Sequence, residues 1–338
     1  MQNRLFKWLF TLLVLIMILL AVSAFSLSLG PAGMHPGTIA RLLLGGKGAA
    51  TDYAILFDIR LPRILLGFAV GGSLSLAGVV LQAMFRNPLV EPYTLGISGG
   101  AALGVALGTI LGQTGLLGAY SLPAFGFLGA SCVILFLSIG INRSVLNLQG
   151  LLLAGVMISF ISSSAVLLIM SVSRIEDLHG ILFWIIGSLG ETDWLPVKLA
   201  LVAAISGLIV AYFFCFDLNA LSLGEEDALH LGVNVERSKR VLLLLASFLA
   251  GLSVSLAGAI GFVGLVVPHF VRMFAGTDHR ILLVSSFVSG AIFLIFCDAV
   301  AKSVAQPAEL PVGVITGLVG GVLFIYAMMR RANVVRGK

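Results

Sequence analysis

Charged residues are scarce in this sequence, and their scarcity excludes an ordinary soluble protein. Only 10% of its 338 residues are Asp, Glu, Lys or Arg, whereas a soluble domain carries roughly 25%. Cysteine is also rare: Cys132, Cys215 and Cys297 lie far apart within apolar runs and show no metal-ligand spacing. We therefore assign the cysteines no chemistry.

Apolar residues and glycine are abundant instead. Hydrophobic residues make up 59% of the chain, and there are 40 glycines. A helix needs roughly 20 apolar residues to cross a hydrocarbon core of about 30 Å, and the glycine content favours packed helices over a β-barrel. The sequence predicts an all-α polytopic membrane protein, with residues 1–338 as one transmembrane domain of about ten spans. Its apolar runs fall at 8–28, 62–84, 93–112, 119–140, 150–171, 195–216, 241–260, 262–275, 281–300 and 312–329.

The basic residues predict how these spans are oriented. The net charge is +5, but the sequence has no long basic tract that would suggest nucleic-acid binding. With both termini in the cytoplasm, 13 of the 20 basic residues fall on the inner side, as the positive-inside rule expects. The first run follows Arg4 and Lys7 and precedes Val22-Ser23-Ala24. A cleaved signal peptide is therefore the alternative to a retained first helix.

An internal repeat accompanies this pattern. Ser73-Leu74-Ser75-Leu76-Ala77-Gly78 in the second predicted span matches Ser253-Val254-Ser255-Leu256-Ala257-Gly258 in the seventh. An odd number of crossings relates the two copies, so they would run in opposite directions, as in inverted-repeat transporters. A chance match within a composition of small and apolar residues is the alternative.

The longest inner connection, residues 217–240, has the composition of a short helix on the cytoplasmic face. Ser222 is a candidate N-cap, residues 225–227 form an acidic first turn, and Gly232 is a candidate stop. Two interpretations remain open: a helix that docks into a partner's groove and a solvated connector. The inner loop 86–92 holds two prolines and cannot form a regular helix.

The chain shows no energy source of its own. Gly45-Gly46-Lys47-Gly48 lacks the spacing of a phosphate-binding loop, and the five histidines show no metal-site spacing. Asp298 is the ionisable residue nearest to the interior of a span. Coupled carriers usually keep such groups at mid-membrane, so their scarcity argues against a secondary transporter.

Eight short motifs, in order along nearly the whole chain, resemble the FecCD-type permease subunits of ABC importers for iron chelates, haem and cobalamin. They are Arg60-Leu61-Pro62-Arg63 with Ala77-Gly78 and Gln82; Arg86-Asn87-Pro88-Leu89 with Pro92; Leu95-Gly96 with Gly99-Gly100-Ala101; Leu153-Ala154-Gly155-Val156; Trp184 with Gly187-Ser188-Leu189; Gly224 to Gly232; Gly261 to His269; and Glu309-Leu310-Pro311-Val312-Gly313.

The resemblance implies a homodimer in the lipid bilayer of the bacterial or archaeal cytoplasmic membrane, with two cytoplasmic ATPase subunits and a soluble substrate-binding protein. It implies no catalytic residue, cofactor or metal in this chain. Binding-protein docking falls on Arg60, Arg63 and Lys302, where Lys302 replaces an arginine of the family's cobalamin importer. The cytoplasmic gate falls on Asn87, Pro88, Leu89, Asn147, Leu148 and Gln149. ATPase coupling falls on Ser222, Gly224, Glu225, Glu226, Asp227, Ala228, Leu229, Leu231 and Gly232.

The sequence therefore predicts an importer permease whose partner hydrolyses ATP. A stand-alone secondary carrier or channel is the alternative, and a membrane enzyme has no metal or nucleophile constellation to support it. Family frequency alone makes ferric siderophore the first expected cargo. Haem, cobalamin and the oxyanion molybdate follow it.

Overall fold

Helices account for the regular structure of the described residues, as the sequence predicted. The structure is a computed structural model and describes residues 2–30, 33–46, 48–111, 118–142, 148–190, 193–304 and 309–336. Its helices are α1 (Gln2–Ser28), α2 (Pro36–Leu43), α3 (Ala50–Ala54), α4 (Leu61–Met84), α5 (Ile97–Ile110), α6 (Ser121–Asn142), α7 (Leu148–Val172), α8 (Ile175–Ile186), α9 (Trp194–Phe213), α10 (Cys215–Leu223), α11 (Glu225–His230), α12 (Val235–Ala257), α13 (Val263–Ala275), α14 (His279–Val304) and α15 (Val312–Arg336). A π-turn at Ile55–Arg60 and 3-10 turns at Pro92–Leu95 and Gly118–Tyr120 complete the set.

Eight helical segments in the described ranges are long and apolar enough to cross a membrane. They correspond to eight of the ten predicted spans. The other two predicted spans, 93–112 and 262–275, form the shorter helices α5 and α13, with 14 and 13 residues. At a rise of 1.5 Å per residue, α5 extends only about 21 Å, which is less than the thickness of a hydrocarbon core.

Two non-helical segments, one directly before each helix, explain why α5 and α13 are short. Gly96 (φ +80°) ends the turn before α5, and Phe262 (φ +69°) immediately precedes α13. Hydrogen bonds join these two non-helical segments. The Ile260 N–H donates to the Tyr93 hydroxyl at 2.9 Å, and the Phe262 N–H donates to the Glu91 carboxylate. Non-helical backbone inside a membrane protein is tolerated where protein groups satisfy it. Each break therefore stabilises the other.

The second span is longer than predicted, because α3, the π-turn and α4 form one continuous helix from residue 50. Arg60 and Arg63 consequently lie inside this helix, not at its start as the sequence predicted. Pro62 does not interrupt it, since the π-turn directly precedes the proline and the Leu61 N–H donates to a carbonyl five residues back. The usual helical bonding pattern has already been relaxed where the proline lacks its donor.

Glycines hold the buried helices at very short separations. A Cβ on Gly290 of α14 would lie 2.3 Å from the carbonyl oxygen of Gly71 in α4. A Cβ on Gly129 of α6 would likewise lie 2.1 Å from the carbonyl oxygen of Gly100 in α5. No ordinary side chain fits at such distances. The high glycine content therefore serves helix packing, as predicted.

The helices are buried to very different degrees. α4 is almost completely enclosed, and its neighbours α12 and α14 are also largely buried. In contrast, α1, α6, α7 and α15 expose most of their apolar surface. In a membrane protein such surfaces face lipid or another copy of the chain. The buried core thus lies around α4, and the outer helices form its apolar shell.

Successive long helices run between two opposite ends of the bundle. The starts of α1 and α14, the ends of α4 and α13, and part of α10 and α15 line one cavity. We call this the inner end, following the predicted orientation. At the opposite outer end, Arg60 contacts the end of α1 and Arg63 contacts the end of α14.

The two copies of the six-residue repeat differ in local structure. Ser73–Gly78 lies in the interior of α4, whereas Gly258 (φ +70°) follows the last residue of α12. The inverted repeat stays a prediction.

Candidate docking, gate and coupling sites

Two of the predicted docking residues belong to a group of four charges at the outer end. Arg63 places Nη2 2.8 Å and Nε 3.0 Å from Asp298 Oδ1, and Nη1 2.6 Å from Glu309 Oε2. Lys302 Nζ lies 2.6 Å from Asp298 Oδ2. We call Arg63, Asp298, Lys302 and Glu309 the outer ion cluster. Its two positive and two negative charges balance.

The outer ion cluster is enclosed except at one member. The side chains of Arg63, Asp298 and Lys302 are 9%, 2% and 4% exposed, whereas that of Glu309 is 40% exposed. The cluster connects α4, α14 and the segment that leads into α15. Removing one partner of a buried ion pair leaves the other charge uncompensated. The cluster therefore contributes to the packing of three helices whatever else it does.

Arg60, the third predicted docking residue, has a different environment. It is buried, and its guanidinium donates to the backbone carbonyl of Leu27 at the end of α1. The same guanidinium lies against Gly30, where a Cβ would approach it to 3.2 Å. Arg60 thus fastens the end of the first helix to the long second span.

Arg63 and Lys302 both pair with the carboxylate of Asp298, a residue that the sequence analysis did not assign to the site. Asp298 and Lys302 are one helical turn apart on α14, a spacing that favours an ion pair and was the available signal. Glu309 was part of a motif but had no assigned role. Docking of a binding protein on Arg60, Arg63 and Lys302 stays a prediction. A partner carboxylate would meet Arg63 and Lys302 already paired with Asp298.

The first predicted gate segment forms a tight turn at the inner end. The Asn87 side chain accepts a hydrogen bond from the Leu89 N–H at 2.9 Å. Arg86 precedes it in the left-handed region (φ +48°), where it ends α4. Asn87 and Pro88 line the inner cavity, and Leu89 is half exposed.

The second predicted gate segment lies at the start of α7. Leu148 and Gln149 occupy its first turn, and Asn147 lies outside the described residues. Further along α7, Gly155 packs against the Pro92–Leu95 turn, where a Cβ would lie 2.5 Å from the Thr94 carbonyl oxygen. The gate role of both segments stays a prediction.

The short helix predicted within residues 217–240 exists as α11, and its end was predicted correctly, whereas its role in ATPase coupling stays a prediction. Gly232 (φ +82°) follows the helix, its N–H donates to the Leu229 carbonyl at 3.0 Å, and the Val233 N–H donates to the Ala228 carbonyl at 3.0 Å. These two bonds form a Schellman motif, which favours glycine because its backbone is left-handed. Glu225, Glu226 and Asp227 form the first turn, as predicted.

The start of α11 differs from the prediction. Ser222 is not the N-cap, because it lies in α10 and its hydroxyl donates to the Leu218 carbonyl at 2.7 Å. The cap position belongs to Gly224, whose φ of +152° suits glycine. Ser222 therefore bonds to the backbone of its own helix and does not cap α11.

The first turns of α12 hold α10 and α11 in place. Lys239 Nζ lies 2.8 Å from Glu225 Oε2, and the Ser238 hydroxyl donates to the Asp217 carboxylate. Ala228 of α11 is fully buried, whereas Leu229 and Leu231 are 60% and 65% exposed. The coupling segment is therefore an ordered element with two leucines on its surface.

A bundle of membrane-length helices that also contains the shorter apolar helices α5 and α13 defines a multi-pass membrane protein. The chain belongs to the FecCD transport family, whose model matches residues 15–330. It is an ABC importer permease subunit and not itself an ATPase.

Individual relatives agree over almost the whole length. The hemin transport system permease protein HmuU of Yersinia pestis is 38% identical over 308 residues, covering 90% of this chain and 92% of that protein. The vitamin B12 import system permease protein BtuC of Klebsiella pneumoniae is 36% identical over 329 residues, covering 97% and 95%. A solved inward-facing structure of a metal-chelate type ABC transporter matches with a TM-score of 0.84 at 31% identity, covering 94% and 98%.

Proposed function

We propose that this permease carries a bulky metal chelate inward, with ferric siderophore, haem and cobalamin as candidate cargoes. The observation that carries the proposal is the near-full-length similarity to permeases named for hemin and for vitamin B12. Ferric siderophore rests on family frequency alone, and molybdate remains the alternative of a different chemical class. Among the described residues, no group of three or more His, Cys, Asp or Glu side chains could hold a metal ion.

Transport by a defined complex tests the cargo. Proteoliposomes containing the permease, its ATPase and its binding protein should accumulate one labelled chelate when ATP is enclosed. Labelled haem, cobalamin, a ferric siderophore and molybdate are compared at equal concentration. Accumulation without ATP or ATPase would instead support a stand-alone carrier, and uptake of molybdate alone would refute the chelate assignment.

We further propose the assembly in which this import occurs. Residues 1–338 form one domain, two copies enclose the path, and both termini face the cytoplasm. Arg4 near the N-terminus and Ala327 near the C-terminus line the same cavity, which supports placing both termini on one side. Two ATPases would bind the inner end, and the binding protein would bind the outer end. The gate would comprise Asn87–Leu89 and Asn147–Gln149.

The ATPase would bind the coupling segment, residues 217–240. Exposed leucines on a water-facing helix are costly unless a partner covers them, and Leu229 and Leu231 are such residues. Leu231→Ser should lower both ATPase retention and the stimulation of ATP hydrolysis by loaded binding protein. Leu44→Ser, at an exposed leucine far from this segment, is the matched control. Equal retention and stimulation in both variants would contradict the coupling role.

Docking at the outer end would require an exchange of ion pairs. A carboxylate of the binding protein can reach Arg63 only by displacing Glu309, the one exposed acid of the outer ion cluster. Glu309→Gln removes this competitor, so the binding protein should associate faster and more tightly. Asp58→Asn removes the same charge from another exposed position of the outer half of the second span. A Glu309→Gln effect no larger than that of Asp58→Asn would contradict docking on Arg63.

A further inference from the structure

The inner end contains a large cavity whose wall is only partly formed by the proposed gate and coupling residues. Its volume is about 1230 Å³, and it is bounded by α1, α4, α10, α13, α14 and α15. It opens beside the first turns of α1, where Trp8 and Arg4 contribute to its wall. Phe6 and Leu9, on the same turns, are 72% and 68% exposed. Aromatic and basic residues at the ends of apolar helices mark the membrane–water interface, which places Arg4, Trp8 and the cavity beside them at the level of the inner headgroups.

The charge of the wall is strongly positive. Arg4, Arg86 and Arg272 line the cavity, and within the described part of the chain none of them forms a salt bridge with a carboxylate. The acid on the wall is Asp278, which Arg280 already holds through contacts of 2.6 and 3.0 Å. Three guanidinium groups on the wall therefore have no carboxylate at salt-bridge distance among the described residues.

Arg272 shows most clearly that a negative partner is missing. It is half-buried, and its Nη1 donates to the side-chain oxygen of Gln82 at 2.5 Å. The Gln82 amide nitrogen is itself held by the Gly264 carbonyl at 3.1 Å, which fixes its orientation. A neutral amide thus occupies one edge of the guanidinium. A planar guanidinium fork is the group that proteins use to bind phosphate.

His279 supplies an independent observation in the same wall. It is only 3% exposed, and its Nε2 has no hydrogen-bond partner. Its Nδ1 lies 2.8 Å from Asn219 Oδ1, which also accepts the His279 backbone N–H. The Asn219 amide nitrogen faces Asp278, so its oxygen must face the imidazole and Nδ1 carries a proton. A buried polar atom in a native protein normally has a partner, and the unprotonated Nε2 of the neutral ring would accept a hydrogen bond from a hydroxyl of a bound molecule.

We propose that this cavity binds a phosphate-bearing anion, held by Arg272 and Arg86, with the Nε2 of His279 as an acceptor for a hydroxyl of the same molecule. The cavity, at about 1230 Å³, is much larger than inorganic phosphate and lies at the level of the inner headgroups. Basic pockets between helices on the cytoplasmic side bind the headgroups of anionic lipids. The headgroup of an anionic phospholipid therefore fits its size, charge and access. A bound headgroup would connect residues of six helices at the face where the ATPase is expected.

The test uses the full-length permease in detergent after delipidation. Dioctanoyl phosphatidylglycerol should raise its thermal stability with saturable binding, and the zwitterionic dioctanoyl phosphatidylcholine should not. Arg272→Gln should weaken phosphatidylglycerol binding about tenfold, since one charge-assisted contact is lost. Arg86→Gln, at an exposed side chain, provides a second variant whose folding is not at risk. Arg174→Gln, at an exposed arginine outside the cavity, is the control.

Each outcome decides the proposal. Saturable stabilisation by inorganic phosphate as well, lost in Arg272→Gln, would support the anion site with a soluble occupant. Equal response to both lipids, or equal binding by Arg86→Gln, Arg272→Gln and Arg174→Gln, would overturn it. Release of bound phosphatidylglycerol when purified ATPase is added would also overturn it, because the cavity would then be a protein-docking surface.

Discussion

Asp298 is predicted to be the residue on which the outer ion cluster depends most. Asp298→Asn keeps the shape of the side chain but leaves Arg63 and Lys302 as two buried positive charges, 9% and 4% exposed. Removing one partner of a buried ion pair costs about 3–5 kcal/mol. At about 1.4 kcal/mol per factor of ten, the folding equilibrium should fall by about 10²- to 10⁴-fold.

Two further variants distinguish charge balance from simple loss of contacts. Glu309→Gln removes an acid whose side chain is 40% exposed, so solvent screening limits the expected loss to about 0–1 kcal/mol. Asp298→Asn combined with Lys302→Met restores neutrality, because Arg63 and Glu309 then balance. The double variant should recover at least half of the stability that Asp298→Asn loses.

The assay is unfolding of the purified permease by sodium dodecyl sulfate in mixed micelles, followed by tryptophan fluorescence. Stability should decrease in the order wild type, Glu309→Gln, the double variant, and Asp298→Asn. Two results would refute the reasoning. One is an Asp298→Asn protein as stable as Glu309→Gln, and the other is a failure of Lys302→Met to restore stability.

Three further perturbations follow from the geometry. Gly290→Leu should abolish folding, seen as loss of monodisperse protein, because its Cβ would lie 2.3 Å from the Gly71 carbonyl oxygen, whereas Gly317→Leu, with open space around it, should be tolerated. Ala228→Pro should reach the membrane but lose ATPase retention, since it removes the bond from the Ala228 N–H to the Gly224 carbonyl at a local cost of about 3 kcal/mol or more; normal retention would contradict this. The Arg280 guanidinium lowers the pKa of Asp278 to about 2, so the stabilisation from this pair should be fully present above about pH 4 and lost as the pH falls towards 2; a Tm difference between wild type and Asp278→Asn that stays constant from pH 6 to pH 2 would be the contrary result.

The amino-acid sequence by itself determined the class of protein and most of its helices. A run of about 20 apolar residues has no stable place in water, and its backbone must satisfy its own hydrogen bonds in lipid, so each run becomes a helix. The end of α11 at Gly232 was equally local, because a left-handed residue is needed there and glycine takes that conformation without strain. Such features depend only on neighbouring residues.

Only the tertiary structure decided where helices break and which charges pair. The apolar run 93–112 suits a continuous helix, but the Tyr93 hydroxyl binds the Ile260 N–H, 167 residues away, and the break at Gly96 is stabilised by that contact. Arg63 likewise pairs with Asp298 at a separation of 235 residues. Arg63 and Lys302, which were expected at the surface, therefore belong to a buried ion network. The free energy of a broken helix or a buried charge depends on the partner that packing supplies. No local pattern of residues contains that information.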